Sequence, residues 1–285
     1  MLRIGCVKYL NARPLIHGWS GAVDFDHPAA LCRKLERGNL DVALVSSLEY
    51  LRRPIYRIID GVSISARGAV YSVIVAHNED LSHAEEIEID PASETSIALL
   101  RYLLRHRALN PRLRVRNTDL QSVRPAEVHS AESETTRGAV KAQTADNMSA
   151  GRTGRRPVFR LLIGDQAIRF RAEHGEGFQY WDLAETWTQI TSLPFVFALW
   201  LIRPEIENAK EIADKLRALR ERNVARTDEL AFSQSQVSPA FCRKYYREHL
   251  FFDFGEREKA GLREFHHHCL LNKIDVAPEL PLNLV

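Results

Sequence analysis

No two cysteines in this chain are spaced as Cys-x-x-Cys. The four present, Cys6, Cys32, Cys242 and Cys269, sit singly in apolar segments, which predicts buried free thiols rather than disulfides or a zinc site. No apolar run reaches the ~20 residues that cross a bilayer; the longest, LPFVFALWLI, covers residues 193–202. The first residues lack the pattern of a secretory leader, since Met-Leu-Arg runs straight into a strand-like segment without a small-residue cleavage site. An excess of one charge is also missing. Lys and Arg number 39 against 37 Asp and Glu, for a net charge of +2, so neither nucleic acid nor a membrane surface is expected as a partner. Free thiols and no leader together predict a cytoplasmic protein.

The familiar catalytic signatures are absent as well. There is no G-x-x-x-x-G-K-[ST], no G-x-G-x-x-G after a strand, no H-E-x-x-H and no G-x-S-x-G. This argues against P-loop, dinucleotide, zinc-protease and α/β-hydrolase chemistry, and leaves chemistry that needs no cofactor. The run HHHC at His266–Cys269 invites a metal reading. Adjacent helical residues point about 100° apart and cannot share one ion easily, so a solvated helix face is expected, and no metal site.

What is there is ordinary globular material: 285 residues, 45% hydrophobic and 27% charged. Strand-like LRIGCV, VDFDH, DVALVS and YRIIDGVSI alternate with helix-like NARPLIHGW, PAALCRKLERG and SLEYLRR. This βαβ rhythm predicts α/β lobes built on largely parallel sheets. Two long β-rich runs, residues 69–77 and 193–202, read as strands that leave a first lobe and return from a second. Lobe one is expected over 1–72 and 200–285, and lobe two over 73–199, with a ligand cleft between them. Residues 121–157 carry no Phe, Trp, Tyr, Leu or Ile and read as a disordered insertion.

Polar turns follow the strands: Asn11 after the first, Ser46 and Ser47 after DVALV, Ser93, Thr95 and Ser96 after EIEID, and Gly164 and Asp165 after LLI. Ligands of open α/β sheets bind at such carboxyl ends, where free helix N–H groups favour anions. The same residue types are also the ordinary helix caps, so each turn alone leaves both readings open. Ser72 lies in the first connecting run, on either its cleft or its solvent face. Arg13 sits within the short helix that follows Asn11, with its direction undetermined.

The segments GCVKYLNARPL, GNLDVALVSSLEYL, DGVSISARGAVYSVIV, DPASETSIALLRYLL, LLIGDQAI and TWTQITSLPFVFALW together resemble the chorismate dehydratase family of the futalosine route to menaquinone. The resemblance implies a two-lobed type II periplasmic-binding-protein-like α/β fold, with two mixed sheets flanked by helices and two connecting hinge strands. It implies a lyase that converts chorismate to 3-[(1-carboxyvinyl)oxy]benzoate and water, with a small-molecule substrate and no cofactor. By similarity, Asn11 and Ser72 are the catalytic candidates. Ser46, Ser47, Thr95, Ser96 and Asp165 are the substrate-binding ones. A conventional base does not stand out: Glu49 and Asp165 are candidates, and so is the substrate's own enolpyruvyl carboxylate. The alternatives are the 1,4-dihydroxy-6-naphthoate synthase of the same pathway and a non-catalytic small-anion-binding module.

Overall fold

The short apolar runs become strands, and the amphipathic stretches between them become helices. The computed structural model describes residues 2–91, 93–116, 158–232 and 237–285; the insertion expected over 121–157 lies outside them. The chain begins β1 (Ile4–Cys6), α1 (Arg13–Ile16), β2 (Val23–Phe25), α2 (Pro28–Glu36), β3 (Val42–Ser46), α3 (Ser47–Arg52) and β4 (Arg57–Ala66). Pro28 opens α2, where its missing N–H and fixed φ suit a first turn. After a crossing come β5 (Val73–His77), β6 (Glu86–Ile89), α4 (Glu94–His106), β7 (Arg112–Val115), β8 (Phe159–Ile163), α5 (Gly164–His174), β9 (Gln179–Asp182) and α6 (Leu183–Thr191). The return gives β10 (Phe195–Ile202), α7 (Ala209–Ala225), α8 (Thr227–Phe232), α9 (Pro239–Lys244), a π-helical turn (Tyr245–His249) and α10 (Glu256–Leu271).

Two five-stranded sheets result, in the orders β2-β1-β3-β10-β4 and β7-β6-β8-β5-β9. They share one plan. In each, three strands run parallel, and the fourth is antiparallel to both its neighbours. That antiparallel strand is the first one after a crossing: β5 enters the second sheet from the first, and β10 enters the first from the second. The mixed sheets and paired lobes match the expected fold class.

Some details differ from the sequence reading. The boundary drawn between residues 199 and 200 falls inside β10, which pairs along its whole length with β3 and β4 in the first sheet. The run 69–77 is a strand only from Val73. Tyr71, at φ +68°, breaks it because β-strands need negative φ. The HHHC run is not a solvated face. Only His267 is exposed, His266 donates from Nε2 to the Ala277 carbonyl at 2.7 Å, and Cys269 is buried. The other expectation for sulfur fits: all four thiols are free and buried. Among the described residues, no helix is long and apolar enough to cross a membrane.

One apolar core runs through both lobes, with a smaller cluster on the far face of the second sheet. Trp187 of α6, fully buried, is central to it. Its ring meets Phe195 of β10 at 5.3 Å, Tyr102 of α4 at 5.6 Å and Phe265 of α10 at 6.0 Å, all edge-on. Edge-on aromatic pairs add to the burial term, so α10 cements the two lobes together. Close approach makes this fit possible: a Cβ on Gly261 of α10 would lie 2.1 Å from the Pro194 carbonyl oxygen. Both groups are backbone and neither can yield cheaply. Gly261→Ala is therefore expected to destabilise the protein by about 1–3 kcal/mol, seen as a lower midpoint in thermal melting.

Candidate functional site

The carboxyl ends of β1 and β3 face those of β6 and β8 across a cleft. The walls are apolar: Val7, Leu44, Ile64, Val70, Ile163 and Phe197 line them. The polar groups are Tyr9, Asn11, Ser46, Ser72, Ser93, Glu94, Thr95 and Ser96. This is the make-up of a small-molecule site, an apolar cavity with a few converging polar groups.

Helix N-termini supply the field. α4 and α5 begin at the cleft, and neither is capped by a side chain at its N-cap residue, Ser93 or Ile163. Elsewhere the pattern is mixed: the Asp182 carboxylate accepts from Ala184 and Glu185 at the start of α6 and the Ser238 hydroxyl caps α9, while α2 and α7 also start without a side-chain cap. The capping reading of the polar turns therefore does not hold for Ser93. The uncapped first-turn amides carry the positive end of each helix dipole toward the cavity.

Seven site residues were expected from the sequence, and five of them line this cavity: Asn11, Ser46, Ser72, Thr95 and Ser96. The side-chain carbonyl oxygen of Asn11 is buried and has no hydrogen-bond partner. Ser46 and Thr95 hydrogen-bond hydroxyl to hydroxyl across the cleft, joining the lobes, and Thr95 also accepts from the Leu48 amide at 3.3 Å. Arg52 and Glu94 form an ion pair beside them. Ser72 is fully buried; its hydroxyl accepts from the Tyr245 phenol at 2.6 Å, and its carbonyl accepts from the Gly164 amide at 2.8 Å.

Two of the seven lie elsewhere. Ser47 points the other way, donating to the Val196 carbonyl at 2.7 Å. It is the first residue of α3, turned one helical step from Ser46 into the core. Asp165 accepts the Leu10 amide at 2.9 Å and so braces the turn that carries Asn11; it lines the neighbouring cleft behind Tyr9. Glu49 is buried and held by Arg53 at 2.8 Å, outside the cavity lining. Glu94 is the one carboxylate among the lining residues, and no Lys, Arg or His is among them. No cluster of three metal-ligating side chains exists among the described residues.

The sequence reading missed Tyr9, whose ring packs over Gly164. Gly164 sits at φ +53°, and a Cβ there would come within 3.1 Å of that ring. Burial, with Asp90 and Asp165 nearby, pushes the Tyr9 phenol up to about 12, so it stays protonated. The signal was available as an aromatic residue two places before Asn11.

A family profile described as menaquinone biosynthesis matches residues 2–131 and 128–270. The chain belongs to that family. A chorismate dehydratase of Thermus thermophilus is 29% identical over 92% of this chain and 93% of its own. Among solved structures, a protein of Archaeoglobus fulgidus superposes with a TM-score of 0.64 at 14% identity, covering 96% of this chain and 98% of its own. A Candida albicans protein with the generic periplasmic-binding-protein fold gives 0.60 at 10% identity, covering 100% and 96%. At these identities the structural likeness establishes the fold.

Asp165 offers a pH test within this family member. Burial raises its carboxyl above the usual range, and the Leu10 amide and Arg169 pull only partly the other way. A raised carboxyl contributes stability below its unfolded value and loses it as pH rises through the folded one. Asp165→Asn keeps an acceptor for Leu10 and removes the buried charge. The variant is thus expected to gain melting temperature relative to wild type as pH rises from about 4 to about 7. An unchanged difference across that range would contradict the assignment.

Proposed function

We propose that this protein is a chorismate dehydratase, a carbon–oxygen lyase of the cytoplasm that forms 3-[(1-carboxyvinyl)oxy]benzoate and water. Besides the relative above, the observation that carries the reading is the unpartnered Asn11 carbonyl oxygen inside a cavity of hydroxyls and helix N-termini. A buried acceptor left unmade costs ~1–3 kcal/mol; a ligand hydroxyl removes that cost. Ser72 complements it. The phenol of Tyr245 occupies a lone pair on the Ser72 oxygen, which leaves the serine's own hydrogen to donate. An alcohol both donates and accepts, so a ring hydroxyl between the two side chains satisfies both.

The chemistry follows from the substrate. The proton on the ring carbon that bears the enolpyruvyl ether is acidified through the conjugated ring carboxylate. Its removal gives a dienolate; the neighbouring carbon–oxygen bond then breaks, hydroxide leaves, and the ring becomes aromatic. The hydroxide collects one proton, so one water is lost overall. Asn11 and Ser72 hold the leaving hydroxyl, while the amides of α4 and α5 with Thr95 and Ser96 receive the two carboxylates. Neither Glu49 nor Asp165 lines the cavity, and Glu94 is engaged by Arg52. This arrangement favours the substrate's own enolpyruvyl carboxylate as the proton acceptor. Four free buried thiols suit a reducing compartment.

Mass spectrometry of chorismate incubated with the protein is expected to show loss of one water. Asn11→Ala should lower turnover roughly 100-fold or more, as removing one preorganised hydrogen-bonding group does elsewhere. Glu49→Gln and Asp165→Asn should retain measurable turnover. Chorismate bound but unchanged would favour a binding module, and turnover confined to a later pathway intermediate would favour the naphthoate synthase.

A further inference from the structure

The segment after α9 reaches the cavity from behind, and no motif announces it. It is a π-helical turn, Tyr245–His249. Such turns are rare and gather at functional sites. Three of its side chains bond to the elements that carry the candidate catalytic pair. The Tyr245 phenol, fully buried, donates to the Ser72 hydroxyl at 2.6 Å. The Tyr246 phenol, also buried, donates to the Leu10 carbonyl at 3.1 Å, one residue before Asn11. The His249 Nδ1 meets the Ala69 carbonyl at 2.9 Å, three residues before Ser72. Aromatic contacts close the set: Tyr71, held at φ +68°, packs on Phe241 at 5.1 Å and on His249 at 5.4 Å.

These contacts are specific in direction. A hydroxyl that accepts from Tyr245 is restricted in rotation, and its remaining hydrogen is turned away from the phenol. Burial pushes the Tyr245 phenol well up, so it remains a donor at any working pH. A single sequence gap of 173 residues separates the two partners, so their meeting comes from the fold alone.

We propose that Tyr245 and Tyr246 are positioning residues for the dehydration: Tyr245 sets the Ser72 hydroxyl as a donor into the cavity, and Tyr246 fixes the turn that presents Asn11. The proposal rests on the functional reading above and adds to it residues that touch no substrate. Their effect passes through Ser72 and Asn11.

The test is a double-mutant cycle on kcat and KM with chorismate. Tyr245→Phe removes one oxygen and keeps the ring. It is expected to lower kcat roughly tenfold to a hundredfold, the scale of a small misplacement at a reacting centre, with KM little changed. In a Ser72→Ala background the same substitution should cost nothing further, because the group it acts through is gone. A wild-type kcat for Tyr245→Phe, or a loss that multiplies fully onto that of Ser72→Ala, overturns the proposal. If Tyr245→Phe does not fold, Tyr246→Phe in wild-type and Asn11→Ala backgrounds gives the same two outcomes. If wild type leaves chorismate intact, the functional reading falls by itself. Crystals of Tyr245→Phe then decide the positioning claim: a Ser72 side chain moved to a new rotamer supports it, and an unmoved one overturns it.

Discussion

Four backbone amides converge on one buried carboxylate, and the cavity depends on that convergence. Asp182 accepts from Val70 at 3.2 Å and Tyr71 at 2.7 Å with its two oxygens, and from Ala184 and Glu185 at 3.1 Å each. The first two amides belong to the crossing from the first lobe to the second; the other two open α6. Burial raises this carboxyl, and the amides work against that rise. Bonds of this kind to a charged acceptor are stronger than neutral ones. They hold Tyr71 in the left-handed region, a conformation that costs an ordinary residue ~1–3 kcal/mol and that the surroundings must impose. The reversal of φ at Tyr71 sets the direction in which Ser72 leaves the crossing.

The shared plan of the two sheets follows from where the crossings occur. Each crossing delivers an antiparallel strand into the fourth position of the next five-stranded sheet. The carboxyl ends of the parallel strands β1, β3, β6 and β8 then meet at one cleft. Helices begin there, uncapped on the cleft side. Positive potential thus reaches the cavity through the backbone, without a lining Lys or Arg. An amide array is rigid and needs no side-chain ordering when a ligand arrives, which suits catalysis by orientation better than a flexible cation would.

Much of this was legible in the sequence, for local reasons. Strand–turn–helix order put Asn11, Ser46, Thr95 and Ser96 at carboxyl ends, and those ends do meet. Ser47 was misplaced because a polar turn does not say which of two adjacent serines faces out; the contact with Val196, 149 residues away, decides it. Asp165 was misplaced for the same kind of reason, since its partner Leu10 lies 155 residues away. Helical spacing alone makes the HHHC run a solvated face, but the packing of α10 against the C-terminal residues around Ala277 buries His266 and Cys269. Tyr245 and Tyr246 gave no signal. Two adjacent tyrosines in an amphipathic segment read as one core and one surface position, and only the π-helical turn buries both.

The distribution of acids around the cavity bears on the mechanism. An enzyme with its own general base would place a carboxylate or imidazole inside, with a free lone pair and no cation beside it. Here the one carboxylate that lines the cavity, Glu94, is paired with Arg52, and buried acids near the crossing and the cleft are committed too: Asp182 to amides, Glu49 to Arg53, Glu258 to Arg67 at 3.0 Å. What the cavity offers instead is one orphan acceptor, one oriented donor and uncapped amides. That set can hold an alcohol and two carboxylates still, and it does little for a reaction that needs an external base. Under the proposed function, it suits a substrate that carries its own base and is held in the geometry where that base reaches the ring proton.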